Sequence, residues 1–147
     1  MADLPALPGL RLDHVGVVVA DAAQAARAYE PLGSRGVRWE EYGPGMLRIA
    51  CVPAGGAVVE FIQPLTGEGA NAEFLRRSGG GVHHLAFAVD DLDAALRRLG
   101  SDAPVLPGAG GTRIAFVGLL GGVLVELCEH PGRPPDGEAG EAGEPLG

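Results

Sequence analysis

Two stretches of the sequence repeat each other: LDHVGVVVADAAQAARAYEPLG at residues 12–33 and VHHLAFAVDDLDAALRRLG at residues 82–100. His14 and His84 are equivalent and lie 70 positions apart (84 − 14). Each stretch opens with a largely apolar run that is typical of a strand. Apolar residues then recur at i, i+3, i+4 and i+7, the spacing of one helix face. The repeat therefore predicts two units that each begin with a strand and a helix.

The same repeat predicts where both helices begin and end. Asp21 and Asp91 precede the helical pattern, where a carboxylate accepts hydrogen bonds from the free N–H groups of the first turn. Gly33 and Gly100 follow the pattern and are expected to end the two helices.

The last part of each unit is repeated as well. GGAVVEFIQP at residues 55–64 is similar to GGVLVELCEHP at residues 121–131, which makes Glu60 and Glu126 equivalent. Each unit has room for two more strands before this segment, predicted at 36–42, 45–53, 103–106 and 112–117. We therefore predict an α+β fold in which two tandem βαβββ units form one curved mixed sheet around a cleft.

The domain boundaries follow from the repeat. Residues 1–10 are an N-terminal extension, and residues 11–131 are expected to form a single domain. Within that domain, unit one is predicted at 11–65, a linker with a short helix over 71–77 at 66–81, and unit two at 82–131. Residues 132–147 are rich in Gly, Pro and Glu and are predicted to be an acidic disordered tail.

Composition excludes several classes of function. The 147 residues suit one domain, and a net charge of −8 disfavours nucleic acid or an anionic membrane as a partner. The N-terminus lacks the features of a signal peptide, and no apolar run reaches the length of about 18 residues that a membrane span needs. We therefore expect a cytoplasmic protein. Cys51 and Cys128 lie in apolar runs and are expected to be buried free thiols.

The four repeat-equivalent polar residues are candidate metal ligands: His14, Glu60, His84 and Glu126. Strand alternation places each histidine on a face of small residues, which is expected to line the cleft. A carboxylate within an apolar strand is costly unless its desolvation is offset, although a glutamate on the wet face of a half-exposed strand is the alternative. Two imidazoles and two carboxylates suit Zn, Ni, Co, Mn or Fe(II), and no cysteine is expected nearby. The predicted cleft is therefore metal-binding.

The two remaining histidines are expected to have other roles. Strand alternation points His83 to the face opposite His84, which predicts a structural or surface role. His130 follows the last strand and is expected at the surface.

The repeated segments, together with EFLRRSGGGVHHLAFAVDDLDAA at residues 73–95, resemble the vicinal oxygen chelate superfamily of glyoxalases, extradiol dioxygenases and epimerases. Within it, the chain is most similar to the methylmalonyl-CoA epimerases. The resemblance covers about residues 11–131 and places the family's metal ligands on His14, Glu60, His84 and Glu126. The chain departs from the family pattern at Arg48, which is aligned with a glutamate proposed as a base in some members, and in a shortened loop at 117–122.

The resemblance implies a metal-dependent epimerase or isomerase that abstracts an α-proton and stabilises the enolate with a divalent metal ion. Co²⁺ is the first choice, with Mn²⁺, Ni²⁺, Zn²⁺ or Fe²⁺ as alternatives. Glu60 and Glu126 are the expected catalytic residues, because either carboxylate can also act as a base. Glu40, Glu41 and Tyr42 are candidates to assist. The expected substrate is an acyl-CoA or another α-acidic carbonyl compound, and the expected assembly is a homodimer.

Two alternative functions are also compatible with these residues. One is a glyoxalase I-like lyase, or a pathway-specific isomerase or cyclase, of the same superfamily. The other is a small-molecule-binding resistance protein, although four intact ligands argue against a purely binding role.

Overall fold

The computed structural model describes Leu7 and residues 9–132, except for the side chain of Pro44. Most of the predicted N-terminal extension (residues 1–6 and 8) and most of the predicted acidic tail (residues 133–147) lie outside the described residues. Both therefore stay predictions.

Each half of the chain forms its elements in the predicted order. The first unit contains β1 (Leu12–Val18), α1 (Ala22–Arg27), β2 (Arg38–Tyr42), the single-turn helix α2 (Gly43–Met46), β3 (Leu47–Ala54) and β4 (Ala57–Pro64). Helix α3 (Ala70–Ser78) leads to the second unit, which contains β5 (Gly81–Ala88), α4 (Leu92–Leu99), β6 (Leu106–Pro107), β7 (Arg113–Leu120) and β8 (Val123–Glu129).

The strands form one mixed sheet in the order β2-β3-β4-β1-β5-β8-β7-β6. Strands β1 and β5 run antiparallel at its centre, and each lies parallel to the last strand of its own unit. The two units are thus related by a pseudo-twofold axis between β1 and β5. This arrangement confirms the predicted α+β fold of two βαβββ units in one curved sheet.

The helices cover the convex face of the sheet and leave the concave face for a cleft. Helix α1 packs Ala22 and Ala26 against Phe61 and its neighbours, and α4 packs Leu92 and Leu96 in the same way on the second unit. Burial of such apolar faces is the main stabilising contribution to a fold of this size. Helix α3 instead covers one end of the concave face.

The predicted helix caps are present at both N-termini. The Asp21 carboxylate accepts a hydrogen bond from the backbone N–H of Gln24 at 3.0 Å, and Asp91 accepts one from Ala94 at 2.9 Å. Gly100, with φ of 63°, ends α4 as predicted.

The prediction that Gly33 ends the first helix was wrong. Helix α1 ends at Arg27, and Gly33 (φ 96°) instead closes the short 3₁₀ turn over Glu30–Leu32. The cause is Pro31, which has no N–H to donate and whose ring clashes with the carbonyl four residues earlier.

The sixth strand also lies later in the chain than predicted. Strand β6 pairs only Leu106 and Pro107 with β7, whereas 103–106 was expected. Prolines at 104 and 107 cannot donate hydrogen bonds to the ladder, which restricts this edge strand to a short pairing.

Cys51 and Cys128 are buried free thiols, as predicted. Among the described residues, the helices are all too short or too polar to cross a bilayer.

Candidate metal centre

Strand register places the equivalent polar residues in two neighbouring rows across the centre of the sheet. Each row runs through one small residue that pairs with a strand on either side. The rows are Glu60–Gly16–His84 and His14–Ala86–Glu126. Each row therefore brings a histidine of one unit and a glutamate of the other onto the concave face.

The small residue in the first row is required by the position of its histidine. A Cβ atom on Gly16 would lie 2.2 Å from Cε1 of His84, far inside van der Waals contact. The imidazole therefore lies directly over the backbone of β1. In the second row Ala86 is fully buried.

The His–Glu cluster, defined as His14, Glu60, His84 and Glu126, brings its polar atoms together. The two Nε2 atoms lie 3.3 Å apart. His14 Nε2 is 3.6 Å from Glu60 Oε1 and 3.5 Å from Glu126 Oε2, and His84 Nε2 is 3.4 Å from Glu126 Oε1. With bonds of about 2.0–2.2 Å, two ligands of one ion lie about 3.0–3.5 Å apart. These separations fit four side chains around a single divalent ion.

Asp13 orients the first histidine of the cluster. Its Oδ2 accepts a hydrogen bond from His14 Nδ1 at 2.7 Å, so His14 presents Nε2 to the cluster. Its Oδ1 lies 2.7 Å from His130 Nε2. Leu12 and His14 pair with consecutive residues of β5, which makes Asp13 an extra residue in the ladder and turns its side chain toward His14. A carboxylate behind a ligating imidazole is the usual support of a metal-bound histidine.

His83 supports the second histidine, contrary to the sequence prediction. Gly16 pairs with His84 and Val17 with Val82, so His83 forms a β-bulge and leaves the regular alternation. It lines the cleft instead of the opposite face, and its Nδ1 lies 2.9 Å from Nδ1 of His84. An alternation rule cannot predict this placement, because a bulge adds one residue to one strand only.

Burial and charge act in opposite directions on the cluster. Burial disfavours a charged His14, but the hydrogen bond to Asp13 and the charges of Glu60 and Glu126 outweigh it and raise the pKa of His14 to about 9. Burial and the charge of His14 lower the pKa of His84 to about 3. Burial raises the pKa of Glu126 to about 7. Burial therefore opposes ionisation of the cluster carboxylates, and a bound cation would offset that cost.

Metal affinity is expected to rise with pH, since an ion must displace the proton of His14. Because the pKa of His14 lies near 9, the apparent affinity for Mn²⁺ should increase about tenfold per pH unit between pH 7 and 8.5. Asp13→Asn replaces the hydrogen bond to a carboxylate, which raises this pKa, with a weaker one to a neutral amide. The slope should therefore flatten, and affinity at pH 8.5 should fall about 10–100-fold. Competition with a chelating dye measures both quantities. Asp21→Asn, which changes an exposed helix cap, is the control; an unchanged slope in Asp13→Asn would exclude this role.

Two residues lie closer to the cluster than the sequence predicted. His130 is not a free surface residue, because its Nε2 binds Asp13 and it lines the cleft. Cys128 is buried beside it, with Sγ 3.8 Å from His130 Nε2 and within 4.8 Å of a ligand atom of both His14 and Glu126. The expectation that no cysteine lies near the cluster was therefore wrong; Cys128 is two residues from Glu126 and so shares its face of β8.

The wall opposite the cluster is formed by β2. A cavity of about 870 Å³ lies between them, and Arg38, Glu40 and Tyr42 of β2 line it. Arg38 donates a hydrogen bond to Glu40 Oε1 at 3.3 Å. Glu41 alternates to the outer face and is exposed. Of the candidates on β2, Glu40 and Tyr42 therefore reach the cavity and Glu41 does not.

Arg48 does not lie in the cleft. It is exposed on the outer face of the sheet, where its guanidinium lies 4.2 Å from the ring centroid of Trp39. The sequence comparison aligned Arg48 with a proposed base, but strand parity places Leu47 and Ile49 on the concave face instead. Arg48 therefore does not replace a base in this cavity.

The two edges of the sheet meet across the mouth of the cleft. The Tyr42 hydroxyl donates a hydrogen bond to the carbonyl of Pro107 at 2.7 Å. The loop after β6 also approaches Glu40, since a Cβ on Gly110 would lie 3.1 Å from Glu40 Oε1. The cavity is thus bounded by both units.

Comparison with known proteins gives a superfamily match and similar proteins of known sequence. Residues 13–116 match the family model described as the Glyoxalase/Bleomycin resistance protein/Dioxygenase superfamily. The uncharacterized protein YqjC of Bacillus subtilis is 36% identical over 131 residues, covering 83% of this chain and 94% of YqjC. Human mitochondrial methylmalonyl-CoA epimerase is 33% identical over 132 residues, covering 80% of this chain and 72% of the epimerase.

Solved structures of epimerases have the same fold. The crystal structure of methylmalonyl-CoA epimerase from Mycobacterium tuberculosis matches with a TM-score of 0.72 and 33% identity, covering 91% of this chain and 94% of that chain. A Streptomyces coelicolor methylmalonyl-CoA epimerase variant in complex with 2-nitronate-propionyl-CoA matches with a TM-score of 0.72 and 27% identity. The match covers 88% of this chain and 100% of that chain.

Proposed function

Because the chain belongs to the glyoxalase/bleomycin resistance/dioxygenase superfamily, we propose that it is a metal-dependent epimerase of a 2-substituted acyl-CoA of the methylmalonyl type. The observation that carries this proposal is the convergence of two imidazoles and two carboxylates on one wall of a cavity whose opposite wall holds a further carboxylate. Epimerase relatives and an acyl-CoA analogue bound to a neighbouring structure support the substrate class.

We assign His14, Glu60, His84 and Glu126 as the ligands of a divalent ion, with Co²⁺ as the first choice for this nitrogen and oxygen donor set. When bound, such an ion supplies positive charge toward the carbonyl oxygens of the substrate. Asp13 and His83 hold the two imidazoles in the orientation that the ion requires.

Epimerisation requires that a proton leaves one face of the α-carbon and returns to the other. Glu40 is the carboxylate on β2 that lines the cavity, and it lies outside the His–Glu cluster. A carboxylate that is not a metal ligand has oxygen lone pairs that can accept a proton, so we assign Glu40 to one face of the substrate. Glu60 or Glu126, on the cluster wall, transfers the proton at the other face.

The experiment that tests this function is solvent exchange into the α-carbon. The purified chain, loaded with Co²⁺, is expected to wash deuterium from D₂O into methylmalonyl-CoA, because the base that holds the abstracted proton equilibrates with solvent. Mass spectrometry measures the label. The metal-depleted chain is the control, and it should show only background exchange.

Other results would redirect the assignment. Exchange into a smaller α-acidic carbonyl acid but not into methylmalonyl-CoA would contradict the substrate and retain the proton-transfer chemistry. Bound metal with no exchange into any α-acidic substrate would contradict the epimerase function and favour a lyase or a binding protein. We also propose a cytoplasmic location. We further propose a homodimer, whose mass size-exclusion chromatography with light scattering can measure.

A further inference from the structure

We propose that Asp13, Cys128 and His130 form a second metal site, distinct from the His–Glu cluster and selective for thiophilic divalent cations such as Zn²⁺. The ligand atoms of the three residues lie within 4.8 Å of one another. Each comes from a different place: Asp13 from a bulge in β1, Cys128 from β8, and His130 from the residues that follow β8.

The distances need little change to accept an ion. In a tetrahedral zinc site with bonds of about 2.0 Å to nitrogen or oxygen and 2.3 Å to sulfur, sulfur and nitrogen lie about 3.6 Å apart. Cys128 Sγ and His130 Nε2 are 3.8 Å apart. Asp13 Oδ1 and His130 Nε2, now hydrogen-bonded at 2.7 Å, must separate by about 0.6 Å to reach a ligand spacing of about 3.3 Å.

His130 is placed to make this adjustment. Its side chain is 36% exposed and follows the last strand, whereas Asp13 and Cys128 are held in the sheet. It also lines the large cavity, which provides a path for the ion and room for a water molecule as the fourth ligand. Three protein ligands and one water molecule are a common arrangement for zinc.

The donor sets give the two sites different preferences. The His–Glu cluster offers only nitrogen and oxygen, which suit Mn²⁺ and Co²⁺, while the second site adds a thiolate that favours softer ions. Asp13 connects the sites, because its Oδ2 binds His14 Nδ1 while its Oδ1 faces His130. The two ions are therefore separated by the Asp13 carboxylate and the His14 ring and do not share a ligand.

Cobalt titration of the metal-depleted full chain tests the second site, since a thiolate bound to Co²⁺ gives a near-ultraviolet charge-transfer band that imidazole and carboxylate ligands do not. We expect two equivalents of bound Co²⁺ and this band. Cys128→Ser and His130→Ala should each lose the band and one equivalent. His84→Ala should keep the band and lose the other equivalent. Cys51→Ser, at the other buried thiol, should keep both.

Three results would overturn the proposal. One equivalent of Co²⁺ without the band would show that no thiolate binds metal. Loss of the band in both His84→Ala and His130→Ala would place Cys128 in the His–Glu cluster, whose His14 and Glu126 it also approaches. Retention of the band in His130→Ala would remove that residue from the site. None of these results depends on epimerase activity, so the proposed function is tested separately.

Discussion

His84→Ala is expected to abolish tight metal binding at the His–Glu cluster. The His84 imidazole lies over Gly16 with Nε2 3.3 Å from that of His14 and 3.4 Å from Glu126. Alanine offers no donor atom, so Mn²⁺ affinity should fall more than about 100-fold. This loss exceeds the about 10–100-fold loss of metal affinity expected when a residue that only supports a ligand is removed. Isothermal titration with Mn²⁺ measures this affinity, because a hard ion does not favour a thiolate site.

Two variants of the same strand calibrate the effect. His83→Ala removes only the group behind His84 and should weaken Mn²⁺ binding about 10–100-fold. Val82→Ala changes an exposed side chain and should leave binding unchanged. If His84→Ala kept a full equivalent of tightly bound Mn²⁺, His84 would not be a ligand.

Glu40→Gln is expected to lower kcat for epimerisation by about 10²–10⁴, the contribution of a positioned general base. Glutamine keeps the size and the contact with Arg38 through its carbonyl oxygen, but it cannot accept a proton. Because Glu40 lies outside the His–Glu cluster, Mn²⁺ affinity should not change. Kinetics with both epimers and a Mn²⁺ titration separate the two effects.

Glu41→Gln is a matched control on the neighbouring residue. Glu41 belongs to the same strand but lies on its exposed outer face. We expect its kcat to equal that of the unaltered chain. Equal losses in the two variants would mean that the charge of β2, and not a base in the cavity, determines turnover.

The internal repeat made most of the fold predictable. Equivalent residues must occupy equivalent places in two copies of one unit, so the shared offset of His14 and Asp21 with His84 and Asp91 identified both strand–helix pairs. The same repeat singled out the four residues of the His–Glu cluster, although their role as ligands remains a prediction.

The placements of His83, Arg48 and Cys128 were not predicted, for three different reasons. His83 sits at an irregular point of the β1–β5 ladder, and a rule of alternation places it on the wrong face. Arg48 was aligned by sequence with a base, but alignment carries no information on strand parity. The contact of Cys128 with His130 depends on where the chain turns after β8, which its local sequence does not determine.

The pseudo-twofold axis between β1 and β5 has a stereochemical consequence. The axis relates Glu60 of β4 to Glu126 of β8, so the cluster wall presents one carboxylate from each unit at equivalent positions. Most enzyme pockets are chiral environments that distinguish the two faces of a flat intermediate strongly. Two copies of one unit, related by an axis, reduce this asymmetry at the wall that holds the cluster. A duplicated scaffold is therefore well matched to a reaction whose substrate and product are mirror images at the reacting carbon.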